Sequence, residues 1–491
     1  MNYNELKSGT DIRGVASDLG GNRVNLTETA VMDLTDAFVV WLSNKTGKAA
    51  TELKVAIGHD SRITANIIKT AAVNRLTRAG VGVFDCGLAS TPAMFMTTID
   101  LDTDASIQIT ASHHPFDRNG LKFFTKEGGL ESSNISEIVN LANDGVKSDT
   151  AEGGIQTVDY MTTYSQRLRK IICDGVGKSE DEQPLKDYKI IVDAGNGAGG
   201  FYAENVLKPL GADITGSQFL EPDGMFPNHI PNPENKAAME SICAAVKKSN
   251  ADLGIIFDTD VDRAGCVDST GKEINRNRLI ALASYIVMQT NKGATVVTDS
   301  VTSDGLKVYI EKDLGGSHYR FKRGYKNVIN KAIELCNSGI NCPLAIETSG
   351  HAALKENYFL DDGAYLATKI VIELAKGKKF DEILSTLKMA AEEKEIRLNI
   401  KEEDFRSYGN KVIEELQKFA ENNSECRIAD DNREGIRITT PYGWMLLRLS
   451  VHDPVMPINF ESDEKGGVNK NIEFFRKFYE QFNGLDLSSY N

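Results

Sequence analysis

Short apolar runs alternate with stretches whose apolar residues recur at helical spacing through most of the chain. From Leu53, LKVAIGHD predicts a strand, a helix opens near Ser61 with Ile67, Ile68, Ala71, Ala72 and Leu76 on one face, and VGVFDCG follows as the next strand. A second unit begins with YKIIVDAGNGAGG, a strand ending in glycines, continues through FYAENVLKPLG as a helix and ADITGSQFL as a strand, and reaches ADLGIIFDTDVDRAG. In the third, RLIALASYIVMQ reads as helix, ATVVTDS as strand, SDGLKVYIEKDLG as helix and PLAIETSGH as strand. After about residue 390 the texture changes to EIRLNIKEEDF, a charged helix over 407–422, the strand-like runs GIRITTP, WMLLRLS and PINFES, and a final helix. The pattern predicts three similar α/β units followed by an α+β unit, with breaks in the polar stretches near 143–154, 268–278 and 389–395.

The 491 residues alone suggest three compact units with four as the outer count, so the pattern raises the expected number. A net charge of −14 excludes a chain that coats nucleic acid or an anionic membrane, and any anionic ligand must meet a local basic pocket. Seven scattered cysteines with no C-x-x-C pair fit neither a disulfide scaffold nor a zinc site. Residues 1–14 lack the apolar core of a secretory leader, and no apolar run approaches the roughly 18 residues of a membrane span. The expectation is a soluble protein of the reducing cytoplasm, with neither nucleic acid nor membrane as partner.

Six segments carry candidate chemistry. DTDVDR, residues 258–263, follows an apolar strand, and its alternating Asp258, Asp260 and Asp262 can converge hard oxygen ligands on Mg²⁺ or Ca²⁺. An EF-hand would need Gly and Glu where the chain has Arg263 and Ser269. ITASHHPFDRNGLKFF, residues 109–124, places Ser112 beside His113 and His114 on a turn with Lys122 downstream, a candidate nucleophile or phosphate carrier. AGNGAGG holds Gly195, Gly197 and Gly200 as a literal G-x-G-x-x-G after a strand, so a nucleotide-dependent dehydrogenase stays open on local evidence, beside the plainer reading of a tight strand-to-helix turn. ETSGH, residues 347–351, and RLSVHDP, residues 448–454, end strands, where α/β domains place ligands, and TDIRG puts Arg13 near the start.

In this order the segments resemble the α-D-phosphohexomutase superfamily, and most its phosphomannomutase/phosphoglucomutase branch. The resemblance rests on DIRG at 11–14, TASHHP at 110–115 with NGLK at 119–122, DTDVDR at 258–263, ETSGH at 347–351 and RLS at 448–450, and it covers essentially the whole chain. It implies four domains, at 1–152, 153–272, 273–390 and 391–491, the first three of one mixed α/β fold and the last resembling the TATA-box-binding-protein type, around a central cleft. It implies interconversion of sugar 1- and 6-phosphates through a phosphoserine at Ser112 and a bisphosphorylated sugar. Mg²⁺ is expected on Asp258, Asp260, Asp262 and Ser112, with a sugar 1,6-bisphosphate as activator. Catalytic roles fall to Ser112, His113, Arg13, Lys122, Arg263 and His351, with His351 and Lys122 both candidates for the base.

Glu347, Ser349 and His351 should hold the sugar, Lys322 matches a family lysine near the substrate, and Arg448, Ser450, Val451 and His452 should hold the far phosphate. The glycine run becomes a structural turn in this reading. The far-phosphate loop departs from the family pattern at Val451, His452 and Asp453, and Asn459 stands where an arginine often closes it, leaving His452, Arg437 or Lys465 to compensate. An aminosugar phosphate mutase and a catalytically weak sugar-phosphate binder are the alternatives.

Overall fold

The structure, a computed structural model, describes residues 2–450 and 453–490. The chain divides into two compact units, Met1–Leu279 with Ser349–Glu382, and Ile280–Thr348 with Ile383–Asn491. Each is built from two separate segments.

In the first unit an eight-stranded sheet runs in the order Lys7–Ser8, Asp11–Val15, Arg118–Thr125, Ala105–Ile109, Lys54–His59, Gly82–Leu88 and Ile155–Thr157, with Gly128–Gly129 paired to Arg118–Thr125. The strand starting at Lys54 pairs in parallel with both Gly82–Leu88 and Ala105–Ile109, as its strand–helix–strand pattern requires. The helix between the first two, Ala65–Arg78, starts four residues after the expected Ser61. Helix Glu28–Thr46 is capped by the Thr27 side chain and ended by Gly47 at φ 71°. Its Val31, Leu34 and Phe38 pack into a core with Val55, Ile57, Ile107 and Phe123.

A second sheet orders Glu273–Ile274, Ala264–Asp268, Leu253–Phe257 and Ile190–Asp193. Strands Leu253–Phe257 and Ala264–Asp268 are antiparallel and buried throughout, with Phe257 opposite Ala264. Residues 258–263 are therefore the closed end of a hairpin. The strand expected over ADITGSQFL does not form. Only isolated bridges, Lys189 to Asp213 and Asp193 to Gln218, tie it to its neighbour, because Gly216 at φ 110° turns the chain between them. The second segment of the unit supplies a hairpin, Ala352–Leu354 with Leu360–Asp361, and helix Gly363–Ala375 capped by the Asp362 carboxylate. That helix lies beside Tyr160–Val176, where Gly175 meets Ile372 and the Tyr164 hydroxyl donates to Asp362 at 2.7 Å.

The second unit carries parallel strands Ser317–Phe321, Thr295–Asp299 and Leu344–Ile346. It also holds a six-stranded sheet, ordered Arg427–Ile428, Ile436–Thr440, Gly443–Leu447, Val455–Ser462, Glu392–Ile400 and Leu485–Asp486. Helices Phe405–Glu421 and Gly467–Tyr479 cover the six strands, and Leu416, Ile438, Leu447, Ile458 and Phe475 form the core. The charged helix expected over 407–422 starts two residues earlier and stops one earlier. Arg437 is buried with its guanidinium 3.5 Å from the Trp444 ring, and it donates to the carbonyls of Ser300 and Thr302 and to Asp304. It is a packing residue, committed away from the phosphate loop it was one candidate to assist.

Candidate active site

Within the first unit, Ser112 is buried on the turn between Ala105–Ile109 and Arg118–Thr125. Its amide donates to the Thr110 hydroxyl at 2.8 Å. Its Oγ lies 3.3 Å from an Asp258 oxygen and 3.3 Å from His113 Nδ1, and it accepts from the Arg263 guanidinium at 2.9 Å. Arg263 also donates to His113 Nδ1 at 2.5 Å. Burial, reinforced by the charge of Arg263, pushes the His113 imidazole down to about 2, so it is a neutral acceptor across the working pH range. His113 thus adds no positive charge at this site.

Arg13, on strand Asp11–Val15, pairs with Asp11 at 2.7 Å, and its charge bears on His113 and His114. Gly120, opposite Arg13, lets the two strands meet: a Cβ there would fall 2.2 Å from the Ile12 carbonyl oxygen. Lys122 on the same strand reaches the metal-loop acids, 2.7 Å from Asp262 and 3.7 Å from Asp260.

Asp258, Asp260 and Asp262 are all buried, and one oxygen from each falls within a 4.8 Å span of the others. Arg263 Nε lies 3.1 Å from Asp258, and the Thr91 hydroxyl donates to Asp260. Asp260 Oδ1 and Asp262 Oδ1 have no hydrogen-bond partner among the described residues. Burial alone would raise Asp262, but the charges of Lys122, His351 and Arg263 outweigh it and hold that carboxyl well below the usual range. Burial and the ionised Asp262 push Asp258 far upward. Three hard oxygen donors, two bearing unpartnered buried atoms, fit a small divalent cation. Val261, in the middle of the loop, holds φ 68°, a left-handed conformation rare for a β-branched residue, and its carbonyl accepts from the Gly363 amide at 3.1 Å.

His351 joins this group through a backbone bridge to Arg263. Its Nδ1 lies 2.5 Å from Asp361 and 3.9 Å from Asp262. Burial would lower the imidazole, but the Asp361 and Asp262 carboxylates raise it to about 9. Asp361 was missed in the sequence. The only signal was an acid closing a short apolar run ten residues after His351, and nothing in that spacing announces a hairpin. Ser349 is buried in the same segment.

The remaining expected residues belong to the second unit. Glu347 is buried and accepts from the Gly324 amide at 2.6 Å, two residues after Lys322 in sequence. Arg448 is buried, donates to Asn459 at 3.3 Å and lies 3.9 Å from Glu395. The Ser450 amide donates to the Val455 carbonyl, and its hydroxyl accepts from the Asp453 amide at 3.2 Å. Val451 and His452 lie outside the described residues.

The glycine run is filled by protein. A Cβ on Gly197 would fall 2.5 Å from the Thr259 carbonyl oxygen and one on Gly200 2.3 Å from that of Leu220. The amides of Asn196 and Ala198 already donate to Phe219 and Thr259. The donors a pyrophosphate would need are spent on holding the turn against the metal loop, which removes the dehydrogenase reading.

Comparison with known proteins places the chain in a family. Three family descriptions match in succession: phosphoglucomutase/phosphomannomutase alpha/beta/alpha domain I at residues 6–148, domain II at 163–271 and domain III at 275–389. The phosphomannomutase/phosphoglucomutase of Pseudomonas aeruginosa is 30% identical over 485 residues, 97% of this chain and 95% of that one. The phosphoglucomutase of Neisseria gonorrhoeae is 29% identical over 452 residues, 91% and 94% of the two chains. A crystal structure of a phosphoglucomutase/phosphomannomutase family protein from Burkholderia thailandensis matches with a TM-score of 0.80 at 26% identity, covering 98% of both chains. The fold and the family matches are those of a phosphotransferase of the isomerase class. The chain belongs to the phosphoglucomutase/phosphomannomutase family.

Among the described residues no helix is long and apolar enough to cross a membrane.

Proposed function

We propose that this chain interconverts the 1-phosphate and 6-phosphate forms of glucose and mannose, with Ser112 carrying the phosphoryl group and a sugar 1,6-bisphosphate as intermediate and activator. The observation that carries the reading is the meeting of Ser112 Oγ with Arg263 and Asp258 beside two further buried carboxylates. In the first transfer the bond from phosphorus to Ser112 Oγ breaks as one to a sugar hydroxyl oxygen forms, and the hydroxyl proton passes to a base. In the second, the other phosphate of the bisphosphate returns to Ser112.

Asp258, Asp260, Asp262 and a phosphoserine oxygen are the ligands proposed for Mg²⁺, which when bound would neutralise charge on the transferring group. Arg263 stabilises the Ser112 oxygen as negative charge builds on it, and His113 aims Arg263 by accepting its second N–H. Arg13 and Lys122 add positive charge. His351, raised to about 9 and paired with Asp361, is charged near neutral pH, as is Lys122, which is shared between Asp262 and Asp260; either accepts the hydroxyl proton only from its minority neutral form and is ready to return one to the leaving oxygen. Glu347, Ser349 and Lys322 are assigned to the sugar, and Arg448, Ser450, Val451 and His452 to the far phosphate. The four domains proposed run over 1–152, 153–272, 273–390 and 391–491.

The test is the mass of the purified protein together with a coupled assay containing Mg²⁺ and a trace of glucose 1,6-bisphosphate. Ser112 should carry an added mass of about 80 Da, and Ser112→Ala should lose both that mass and all turnover. Activity surviving in Ser112→Ala would overturn the reading. Comparing kcat/KM for glucose, mannose and glucosamine phosphates separates the hexose reading from the aminosugar one.

A further inference from the structure

Ser112 holds φ 50°, in the left-handed region that residues other than glycine rarely adopt. The Thr110 hydroxyl holds the Ser112 amide from within the loop, and a second anchor lies outside it. The Arg62 guanidinium is buried beneath it and donates to four backbone carbonyls: from one terminal nitrogen to Pro115 at 2.7 Å and Arg118 at 2.8 Å, from the other to His114 at 2.6 Å and to Ser112 itself. The planar fork of arginine supplies these bonds from one rigid group, which an ammonium cannot copy.

Arg62 is itself anchored. The Asp60 amide donates to the Ile109 carbonyl, fixing the start of its turn, and the Arg62 amide donates to the Asp60 carboxylate at 3.0 Å. The Asp60 carboxylate lies 3.4 Å from Arg62 Nε. The Phe226 ring lies 5.4 Å from the guanidinium carbon. The segment carrying Phe226 comes so near that a Cβ on Gly224 would fall 2.4 Å from the Ile63 nitrogen.

We propose that Arg62 is the positioning residue that sets the serine loop for phosphoryl transfer. By gathering the carbonyls of residues 112, 114, 115 and 118 on one side, it turns their negative ends away from the Oγ face. That leaves the Oγ face to the Arg263 guanidinium, which meets Ser112 Oγ. An in-line transfer depends steeply on the placement of the phosphorylated oxygen, so loosening this anchor should slow transfer without weakening the hold on the sugar phosphate. The inference rests on the phosphoserine reading above.

The experiment uses full-length phosphorylated protein as wild type, Arg62→Lys and Arg62→Met. It measures the single-turnover rate of transfer from phosphoserine to glucose 6-phosphate, the Kd of that sugar by calorimetry, and Tm. In folded variants the transfer rate should fall on the order of 10²-fold in Arg62→Lys and further in Arg62→Met, with Kd within threefold of wild type. Transfer within threefold of wild type in folded Arg62→Lys would overturn the proposal, as would rate and affinity falling together.

If neither Arg62 variant folds, Phe226→Leu, which removes only the ring beside the guanidinium, is read by the same rule. A slower transfer at unchanged Kd supports the proposal, and an unchanged rate overturns it. Should wild type itself carry no phosphate on Ser112 and accept none from glucose 1,6-bisphosphate, it is the phosphoserine reading that fails.

Discussion

The loop proposed for the metal, 258–263, and the loop proposed for the far phosphate, which begins at Arg448, each follow a strand that pairs antiparallel with the next, yet their described residues are held differently. In the first, the flanking strands are buried along their whole length and each of the three aspartates is met by a hydroxyl or a cation: Asp258 by Ser112 and Arg263, Asp260 by Thr91, Asp262 by Lys122. Among the described residues of the second, Arg448 donates to Asn459, the Ser450 hydroxyl accepts from the Asp453 amide, and Asp453 is exposed. Groups that must stabilise charge at the moment of transfer are fixed beforehand, because preorganised dipoles cost no rearrangement in the transition state. Groups that only bind need less. The contrast also separates what each loop should control, the rate constant for the one and substrate affinity for the other.

The strongest way to break this contrast is at Arg263. Arg263→Gln should lower kcat by about 10²–10³-fold while KM stays within threefold, measured in the coupled assay at saturating Mg²⁺. An effect confined to KM would erase the distinction between the loops. Next in size, Arg448→Ala should raise KM by roughly tenfold or more, the loss of a charge-assisted hydrogen bond, with kcat nearly kept. A matching fall in kcat would mean that the phosphate loop shares in the transition state.

The smallest effect concerns stability rather than rate and sharpens the comparison for the second unit alone. His318 is buried on strand Ser317–Phe321, with Nε2 on the Thr298 hydroxyl at 2.8 Å and no partner for Nδ1 among the described residues. Burial drives its pKa well below the usual value, so the unfolded chain binds a proton that the folded one refuses. The stability that depends on a neutral His318 is full above about pH 6.5 and is lost as pH falls below it. His318→Asn should flatten that acid slope by up to one proton, about 1.4 kcal/mol per pH unit, in urea titrations at pH 7, 6 and 5. An unchanged slope would place the acid sensitivity elsewhere.

Much of the fold was readable because alternating strand and helix periods leave a strong pattern, and the run LGIIF announced the strand that enters the 258–263 loop, while its antiparallel partner Ala264–Asp268 was not foreseen. The aspartates stood out for a chemical reason, since three acids in six residues after an apolar strand can converge oxygen ligands, and the structure brings one oxygen of each within a 4.8 Å span. Other features were not readable. The strand expected at ADITGSQFL is undone by a single glycine turn, which period alone does not reveal. Arg437 is an arginine near a phosphate loop in sequence but a stacking partner of Trp444 in space. Arg62 meets the Ser112 loop from 50 residues away and Asp361 meets His351 across a hairpin, so their significance lies in distances that the fold creates. For Glu347, Lys322 and Arg448 the resemblance remains the stronger guide to role.

The first unit is completed only by its distant segment, Ser349–Glu382. That has a consequence for the order in which the protein is made. At roughly 5–20 residues per second, residues 280–348 take several seconds to emerge before the segment that finishes the earlier unit appears. Through that interval the Tyr164 and Tyr202 hydroxyls, buried in the finished protein, lack Asp362 and Thr368, and Asp262 lacks His351. The nascent chain must carry an unfinished apolar face along helix Tyr160–Val176 until helix Gly363–Ala375 arrives to cover it.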